Sequence, residues 1–299
     1  MKKHIFAMAV VTLAAGSAFA QAGDTLAKIK SSGSVTLGVR ESSGLSYTLG
    51  NGKYVGFHTE MAEHIISDIR KQLGLAALET KYQPVTSQNR IPLVTNGTVD
   101  LECGSTTNNA ARQKDVAFAV TTYVEEVRIA TKANSSINSI KDLNGKTVAT
   151  TTGTTSVQTL RRNERSSGID FKEVMGKDHA DSFLLLESGR ADAFVMDGSI
   201  LAANISKSKS PADFKIVGEV LSVEPIACMI RKDDPAFKTA VDNSIKRQIA
   251  DGSLAKLYDK WFMQPIPPAN VKIGLPMSDA TKAAWANPND KPMEAFNSK

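Results

Sequence analysis

Hydrophobic and polar positions follow two periods along the chain, one typical of strands and one typical of helices. The segment 56–75 is apolar along one helical face, which consists of Met61, Ile65, Ile66 and Ile69. Short runs with a strand-like pattern flank this helix and a second, shorter one at 87–97. The strands predicted in this first half are 34–40, 78–85 and 99–103. Strands separated by helices indicate βαβ units and a mainly parallel sheet flanked by helices.

The second half of the chain repeats this order of elements. The stretches "LVTNGTVDLE" and "LLESGRADAF" each have a leucine, a glycine four residues on and an aspartate three residues after that. These positions are Leu93, Gly97 and Asp100 in the first stretch, and Leu185, Gly189 and Asp192 in the second. In both, the glycine suits a left-handed helix end before a strand. The repetition predicts an α/β protein with two similarly built lobes.

The chain is expected to pass between the lobes twice, near 119–126 and again near 219–227. Beyond the second passage, the pattern predicts two helical stretches broken at Gly252. The tail from Met263 onward contains several prolines and few apolar runs, so we expect an extended surface segment. The resulting assignment is 21–122 and 223–299 for lobe 1, and 123–222 for lobe 2.

The first twenty residues have the three-part pattern of a secretory signal peptide. Lys2 and Lys3 precede an apolar stretch at 5–15, and small residues close the pattern at 18–20. The apolar stretch is too short to be a good membrane-spanning helix. No cysteine lies near the cleavage site, where a lipid anchor would be attached. We therefore expect cleavage after Ala20 and a soluble, exported protein of the periplasm.

Charge and cysteine content narrow the class of protein further. The formal net charge is +5, and the basic residues are scattered without interleaved aromatics. No nucleic-acid partner is therefore expected.

In an oxidising compartment a single pair of cysteines usually forms one disulfide. A bond between Cys103 and Cys228 would join two strands of one lobe that are distant in sequence, and two buried free thiols are the alternative.

Polar side chains collect where the predicted strands end, which is the edge at which ligands dock in open α/β sheets. Three arginines, a histidine and several hydroxyls accompany a single acid; the candidates are Arg40, Ser87, Arg90, Ser105, Thr107, Arg112, Thr155, His179 and Asp197. A guanidinium matches the two oxygens of a carboxylate. The amides at the predicted helix start add further donors, and one aspartate suits an ammonium group. The set predicts a binding site for an amino acid with an acidic side chain.

Each candidate also has an ordinary structural interpretation. Arginines at helix starts are often solvated, Thr107 can be no more than a helix cap, and Asp197 can cap the helix that follows it.

On paper, Cys103, His179 and Asp197 can also be arranged as a nucleophile, a base and an orienting acid. The export compartment and the second cysteine argue against such an enzyme. The histidines lack metal-ligand spacing, and phosphate- or dinucleotide-binding motifs are missing, so we expect no metal and no cofactor.

The chain resembles the periplasmic glutamate/aspartate-binding proteins of ABC importers, within the family 3 extracellular solute-binding proteins for polar amino acids. The resemblance lies in the stretches "GVRESSGLSY", "TSQNRIPLVTNGTVDLECGSTTNNAARQ", "GTTS", "GKDHADSFLLLESGRADAFVMD" and "CMIRKDDPAFK". It covers essentially the whole chain after the signal peptide, and the stretch 86–113 is long and specific. It implies a type II periplasmic binding-protein fold, in which two hinge crossings join two lobes that close on the ligand.

The resemblance also implies a role for each candidate residue. Arg112, Thr107 and Thr155 would hold the α-carboxylate of the ligand. Asp197 and Ser105 would hold its α-ammonium group. The side-chain carboxylate would be held by Arg40, Ser87, Arg90 and His179.

The implied protein is a monomer that binds L-glutamate and L-aspartate and delivers them to an inner-membrane ABC permease, without catalysis. Two alternatives stay open at this point. The first is a periplasmic enzyme on the same scaffold, similar to the cyclohexadienyl dehydratases, for which Asp197 and His179 would be the acid or base. The second is a sensor lobe that is presented to a receptor.

Overall fold

The computed structural model describes residues 24–296, so the predicted signal peptide lies outside the described residues. The strands in chain order are β1 (Ser34–Val39), β2 (Tyr47–Gly50), β3 (Lys53–Val55), β4 (Glu79–Pro84), β5 (Leu101–Glu102), β6 (Val116–Phe118), β7 (Tyr123–Lys132), β8 (Thr147–Thr151), β9 (Lys172–Gly176), β10 (Ala193–Asp197), β11 (Phe214–Ile226), β12 (Met229–Arg231), β13 (Pro265–Ile266) and β14 (Val271–Lys272). The α-helices are α1 (Thr25–Ser32), α2 (Phe57–Gln72), α3 (Arg90–Thr95), α4 (Thr155–Ser167), α5 (His179–Glu187), α6 (Gly198–Lys207), α7 (Pro235–Ala250), α8 (Ser253–Tyr258), α9 (Asp279–Ala286) and α10 (Met293–Phe296). Within this part of the chain, no helix is both long and apolar enough to cross a membrane.

The predicted two-lobe α/β architecture is confirmed, and each lobe is built on a five-stranded sheet. The sheet of lobe 1 has the order β4-β1-β5-β12-β6, and that of lobe 2 has the order β11-β7-β10-β8-β9. Both sheets are mixed. The strands of the βαβ units pair in parallel, whereas β6, β7, β11 and β12 pair antiparallel with their neighbours. The antiparallel pairs arise because the chain leaves and re-enters each lobe at one edge.

Strands β7 and β11 carry the chain between the two sheets. They pair antiparallel, from Tyr123 opposite Ile226 to Lys132 opposite Phe214. The chain passes from β6 into β7 at the first crossing and from β11 into β12 at the second. Because β7 and β11 pair with each other, the two crossings lie side by side. Glu125 and Glu224 face each other directly in this pair.

The helix predicted from its apolar face is α2, and all four apolar positions of that face are buried. They pack with α7 and α8 in the core of lobe 1. The two helical stretches predicted on either side of Gly252 are α7 and α8, and Gly252 adopts a left-handed conformation between them. The periodicity was thus sufficient to identify the main helices of this lobe.

The predicted disulfide is present, between Cys103 and Cys228. It links the end of β5 to the start of β12, which are neighbouring antiparallel strands in lobe 1. The two residues are separated by 125 positions in sequence. Their α-carbons are 4.3 Å apart, so the bond fastens adjacent strands.

The expectation of an extended tail after Met263 is wrong in part. The segment contains the hairpin β13–β14 and the helices α9 and α10. Ser278 begins α9 by accepting a hydrogen bond from the Thr281 amide. The Trp285 indole donates to the Thr122 carbonyl at 2.9 Å, so α9 packs against the first crossing between the lobes.

Candidate functional site

The candidate residues occupy the facing edges of the two lobes. On lobe 1 they follow β1, β4 and β5, and on lobe 2 they follow β8 and β9 or end β10. This placement results from the parallel strands, whose carboxyl ends lie at one edge of each sheet. Six residues come from lobe 1 (Arg40, Ser87, Arg90, Ser105, Thr107 and Arg112), and three come from lobe 2 (Thr155, His179 and Asp197).

Two arginines of lobe 1 are buried at this edge. Arg40 is 0% exposed and Arg90 is 2% exposed. The Arg90 Nη1 donates to the Ser105 carbonyl at 3.0 Å, and the Arg40 Nη1 donates to the Ser105 hydroxyl at 3.4 Å. Within the described residues, the Nε atoms of both arginines and the Ser87 hydroxyl have no hydrogen-bond partner. Buried donors without acceptors are costly, so this cluster is suited to an anionic ligand.

Arg40 also contacts lobe 2. Its Nη2 donates to the Asp178 carboxylate at 2.7 Å and lies 3.0 Å from the Nε2 of His179. The hydroxyl of Ser42 donates to the other Asp178 oxygen. Asp178 was not a candidate from the sequence, although it directly precedes His179. Its carboxylate joins the two lobes at this end of the site.

His179 is neutral in this arrangement. Burial, together with the positive charge of Arg40, lowers the pKa of His179 to about 3. An arginine can only donate, so the Nε2 of His179 accepts from Arg40 and its Nδ1–H donates to the Thr151 hydroxyl at 3.1 Å. His179 therefore orients Arg40 in this geometry.

The opposite end of the site is built around Arg112. Its Nη1 donates to the Thr107 carbonyl at 2.9 Å, and its Nη2 donates across the gap to the Gly153 carbonyl at 3.3 Å. Burial lowers the pKa of Arg112, and the nearby carboxylates of Glu224 and Asp197 oppose that effect. The Arg112 guanidinium thus lies near the buried carboxylates of Glu224 and Asp197, and it donates to one backbone carbonyl on each lobe.

Asp197 ends β10 on the opposite side of the gap and is 2% exposed. Its Oδ1 has no hydrogen-bond partner among the described residues. Burial and the nearby Glu224 raise its pKa to about 8, while Arg90 and Arg112 act in the opposite direction. Within the described part of the chain, the carboxyl group is therefore near the three arginines without an ion pair to any of them, and it is free to receive an ammonium group.

The expectation of a single acid among the site residues is wrong. Besides Asp197 and Asp178, two buried glutamates lie at the site, Glu102 and Glu224, and each is 0% exposed. The Oε2 of Glu102 accepts from the Thr106 hydroxyl at 2.8 Å. Both glutamates interrupt apolar strand sequences, and this interruption was the one sequence signal that could have marked them as functional residues. Their orientation toward the site depends on strand register, which the sequence alone does not reveal.

Two glycines allow the lobes to approach each other. A Cβ on Gly44 would lie 2.4 Å from the Ser199 carbonyl oxygen, and a Cβ on Gly153 would lie 2.8 Å from the Cα and N atoms of Gln88. In each case the nearest atoms met are backbone atoms of the other lobe. The site is therefore enclosed by two surfaces that fit closely.

Comparisons with known proteins agree with this architecture. The model of the bacterial extracellular solute-binding proteins, family 3, matches residues 35–264. The chain is 43% identical over 297 residues to the glutamate/aspartate import solute-binding protein of Salmonella typhimurium, with 97% of this chain and 98% of that protein covered. It is 44% identical over 272 residues to the L-glutamate/L-aspartate-binding protein of Pseudomonas aeruginosa, with 90% of each covered. A solved variant of ArgBP from T. maritima superposes with a TM-score of 0.71 at 28% identity, covering 80% of this chain and 99% of that one. The sequence relatives are named for binding and import, so the enzyme alternative is not favoured.

Proposed function

This chain belongs to the bacterial extracellular solute-binding proteins, family 3, and from that premise we propose that it captures L-glutamate and L-aspartate between its lobes. It then delivers them to an ABC-type amino-acid permease of the inner membrane. The names of its relatives support this choice of ligand. The protein acts in the periplasm as a monomer, after export and cleavage of the signal peptide behind Ala20.

One observation carries the proposal: three arginines at the edge of lobe 1 lie near Asp197 of lobe 2, whose Oδ1 has no hydrogen-bond partner among residues 24–296. A dicarboxylic amino acid has the complementary charges, two carboxylates and one ammonium. Arg112, with Thr107 and Thr155, holds the α-carboxylate, and Asp197 with Ser105 holds the ammonium group. The side-chain carboxylate is held by the remaining set: Arg40, Ser87 and Arg90 contact it, and the neutral His179 acts through Arg40, which it orients.

Ligand binding and lobe closure are coupled in this proposal. The ligand touches both lobes, so it stabilises the conformation in which both are in reach. The division into 21–122 with 223–299 and 123–222 is part of the proposal, and the side-by-side crossings of β7 and β11 support it. Three charge-assisted contacts of about 1.5–3 kcal/mol each sum to about 4.5–9 kcal/mol, which is comparable to the roughly 8 kcal/mol of a micromolar complex.

A thermal-shift panel of the twenty amino acids on ligand-stripped protein tests this function. L-glutamate and L-aspartate should raise the melting temperature most, because a ligand that binds only the folded state stabilises it. Arg112→Ala should abolish the shift with every amino acid, whereas Arg190→Ala, at an exposed arginine of lobe 2, should leave it intact. A panel in which neither acidic amino acid shifts the wild type would refute the proposal.

A further inference from the structure

The side chain of Glu224, on the crossing strand β11, is hydrogen-bonded to one residue of each lobe. Its Oε2 accepts a hydrogen bond from the Thr107 hydroxyl of lobe 1 and another from the Thr155 hydroxyl of lobe 2, each at 2.6 Å. The two hydroxyl oxygens are 3.2 Å apart. The Oε1 accepts from the Ser222 hydroxyl at 2.7 Å. Among the described residues, the hydrogen bonds to this fully buried carboxylate thus come from three hydroxyl groups.

The number of hydrogens limits what the two threonines can do for a ligand. A hydroxyl has one hydrogen, so a threonine that donates to Glu224 cannot also donate to a bound carboxylate. Its remaining lone pairs repel that carboxylate. The donors still available at this end of the site are the Arg112 guanidinium and the backbone amides at the start of α4, where the helix dipole favours an anion.

We propose, building on the function proposed above, that Glu224 is a positioning residue for ligand capture. It takes up the hydroxyl hydrogens of Thr107 and Thr155. In this way it holds the lobes at the separation at which Arg112 and the amides of α4 reach the α-carboxylate. Thr107 and Thr155 act on the ligand through Glu224 and their backbone, and not through their hydroxyls.

The competing interpretation is that the ligand carboxylate displaces Glu224 from the two threonines. Displacement would leave a buried carboxylate with fewer donors, and an uncompensated buried charge is strongly destabilising. The Ser222 contact holds the other oxygen in place as well. The two interpretations predict opposite effects of removing the carboxylate, because a competitor lowers affinity and a positioning group raises it.

Calorimetric titration of three proteins with L-glutamate and L-aspartate separates the two interpretations. In Glu224→Gln, the amide oxygen can accept from the threonines and the NH₂ can donate to Ser222, so we expect affinity within about threefold of wild type. Glu224→Ala removes the connection between the lobes and should weaken both ligands by about 10- to 100-fold, leaving their ratio unchanged. Circular dichroism checks that the variants are folded. Glu224→Ala binding as tightly as wild type, or more tightly, would overturn the inference.

A double-mutant cycle tests the role of the hydroxyl itself. Thr155→Val removes the hydroxyl and keeps the backbone amide, so it should weaken binding in the wild type and have no further effect in Glu224→Ala. The same loss in both backgrounds would show that the hydroxyl contacts the ligand directly, and would overturn the inference while leaving the proposed function intact. A wild type that binds neither acid would instead overturn the proposed function and this inference together.

Discussion

Gly153 gives a direct test of whether ligand affinity depends on the close approach of the lobes. It lies in the turn before α4 with a φ of 81°. A Cβ at this position would lie 2.8 Å from the backbone N and Cα of Gln88 on lobe 1. Ordinary contact begins at 3.4 Å, so Gly153→Ala must separate the lobes locally by about 0.6 Å.

This separation should weaken binding measurably. The hydrogen bond from Arg112 to the Gly153 carbonyl is already 3.3 Å long, and further separation would break it. The ligand contacts that span the gap would lengthen too. Losing the equivalent of one charge-assisted contact costs about 1.5–3 kcal/mol, so the dissociation constant for L-glutamate should rise about 10- to 150-fold.

Gly168 provides the matched control at the other end of α4. It has a φ of 63°, and a Cβ there would meet no atom within 4 Å. Alanine at either position imposes the strain of a left-handed backbone, about 1–2 kcal/mol. Gly153→Ala and Gly168→Ala should therefore lower the ligand-free melting temperature to a similar extent, while only Gly153→Ala weakens binding. Equal glutamate affinities of the two variants in calorimetry would refute the dependence on lobe approach.

Three further predictions concern specificity, pH and stability. Arg90→Ala should weaken L-glutamate binding by about tenfold or more and change L-glutamine binding little, because the lost cation faces the side-chain carboxylate; calorimetry showing unchanged glutamate affinity would refute that role. Affinity for L-glutamate should rise between pH 6 and 8, because burial raises the pKa of Asp197 to about 8 and ammonium binding requires the ionised carboxylate. Burial also lowers the pKa of His179 to about 3, so that residue stays neutral over this range; an affinity that falls as pH rises would contradict both assignments. Replacing Cys103 and Cys228 by serine should lower the free energy of unfolding by about 2–5 kcal/mol, seen as a lower denaturation midpoint, and an unchanged midpoint would show that the disulfide adds no stability.

Much of the fold could be predicted from the sequence because its βαβ units are local. The apolar face of α2 and the glycine breaks at Gly97, Gly189 and Gly252 are short-range signals that tertiary contacts did not override. The tail was harder to predict, since α9 is a short helix that begins at Ser278 after several prolines. Its position is set by packing of Trp285 at the first crossing, which is a long-range contact.

The candidate site shows the same division between local and long-range information. The cations could be located because each follows a strand end in the chain, and strand ends meet at one edge. Glu224 and Asp178 were missed, since their roles depend on partners far away in sequence, such as Thr107 for Glu224 and Arg40 for Asp178. These acids could therefore be assigned to the site only from the three-dimensional arrangement of the two lobes.

A crystal structure of the protein with L-glutamate tests the central claim most directly. We expect the ligand between the lobes, with its α-carboxylate on Arg112, its ammonium group on Asp197 and its side-chain carboxylate beside Arg40 and Arg90. A ligand bound in the reverse orientation, or one that leaves Asp197 without a contact, would contradict the account.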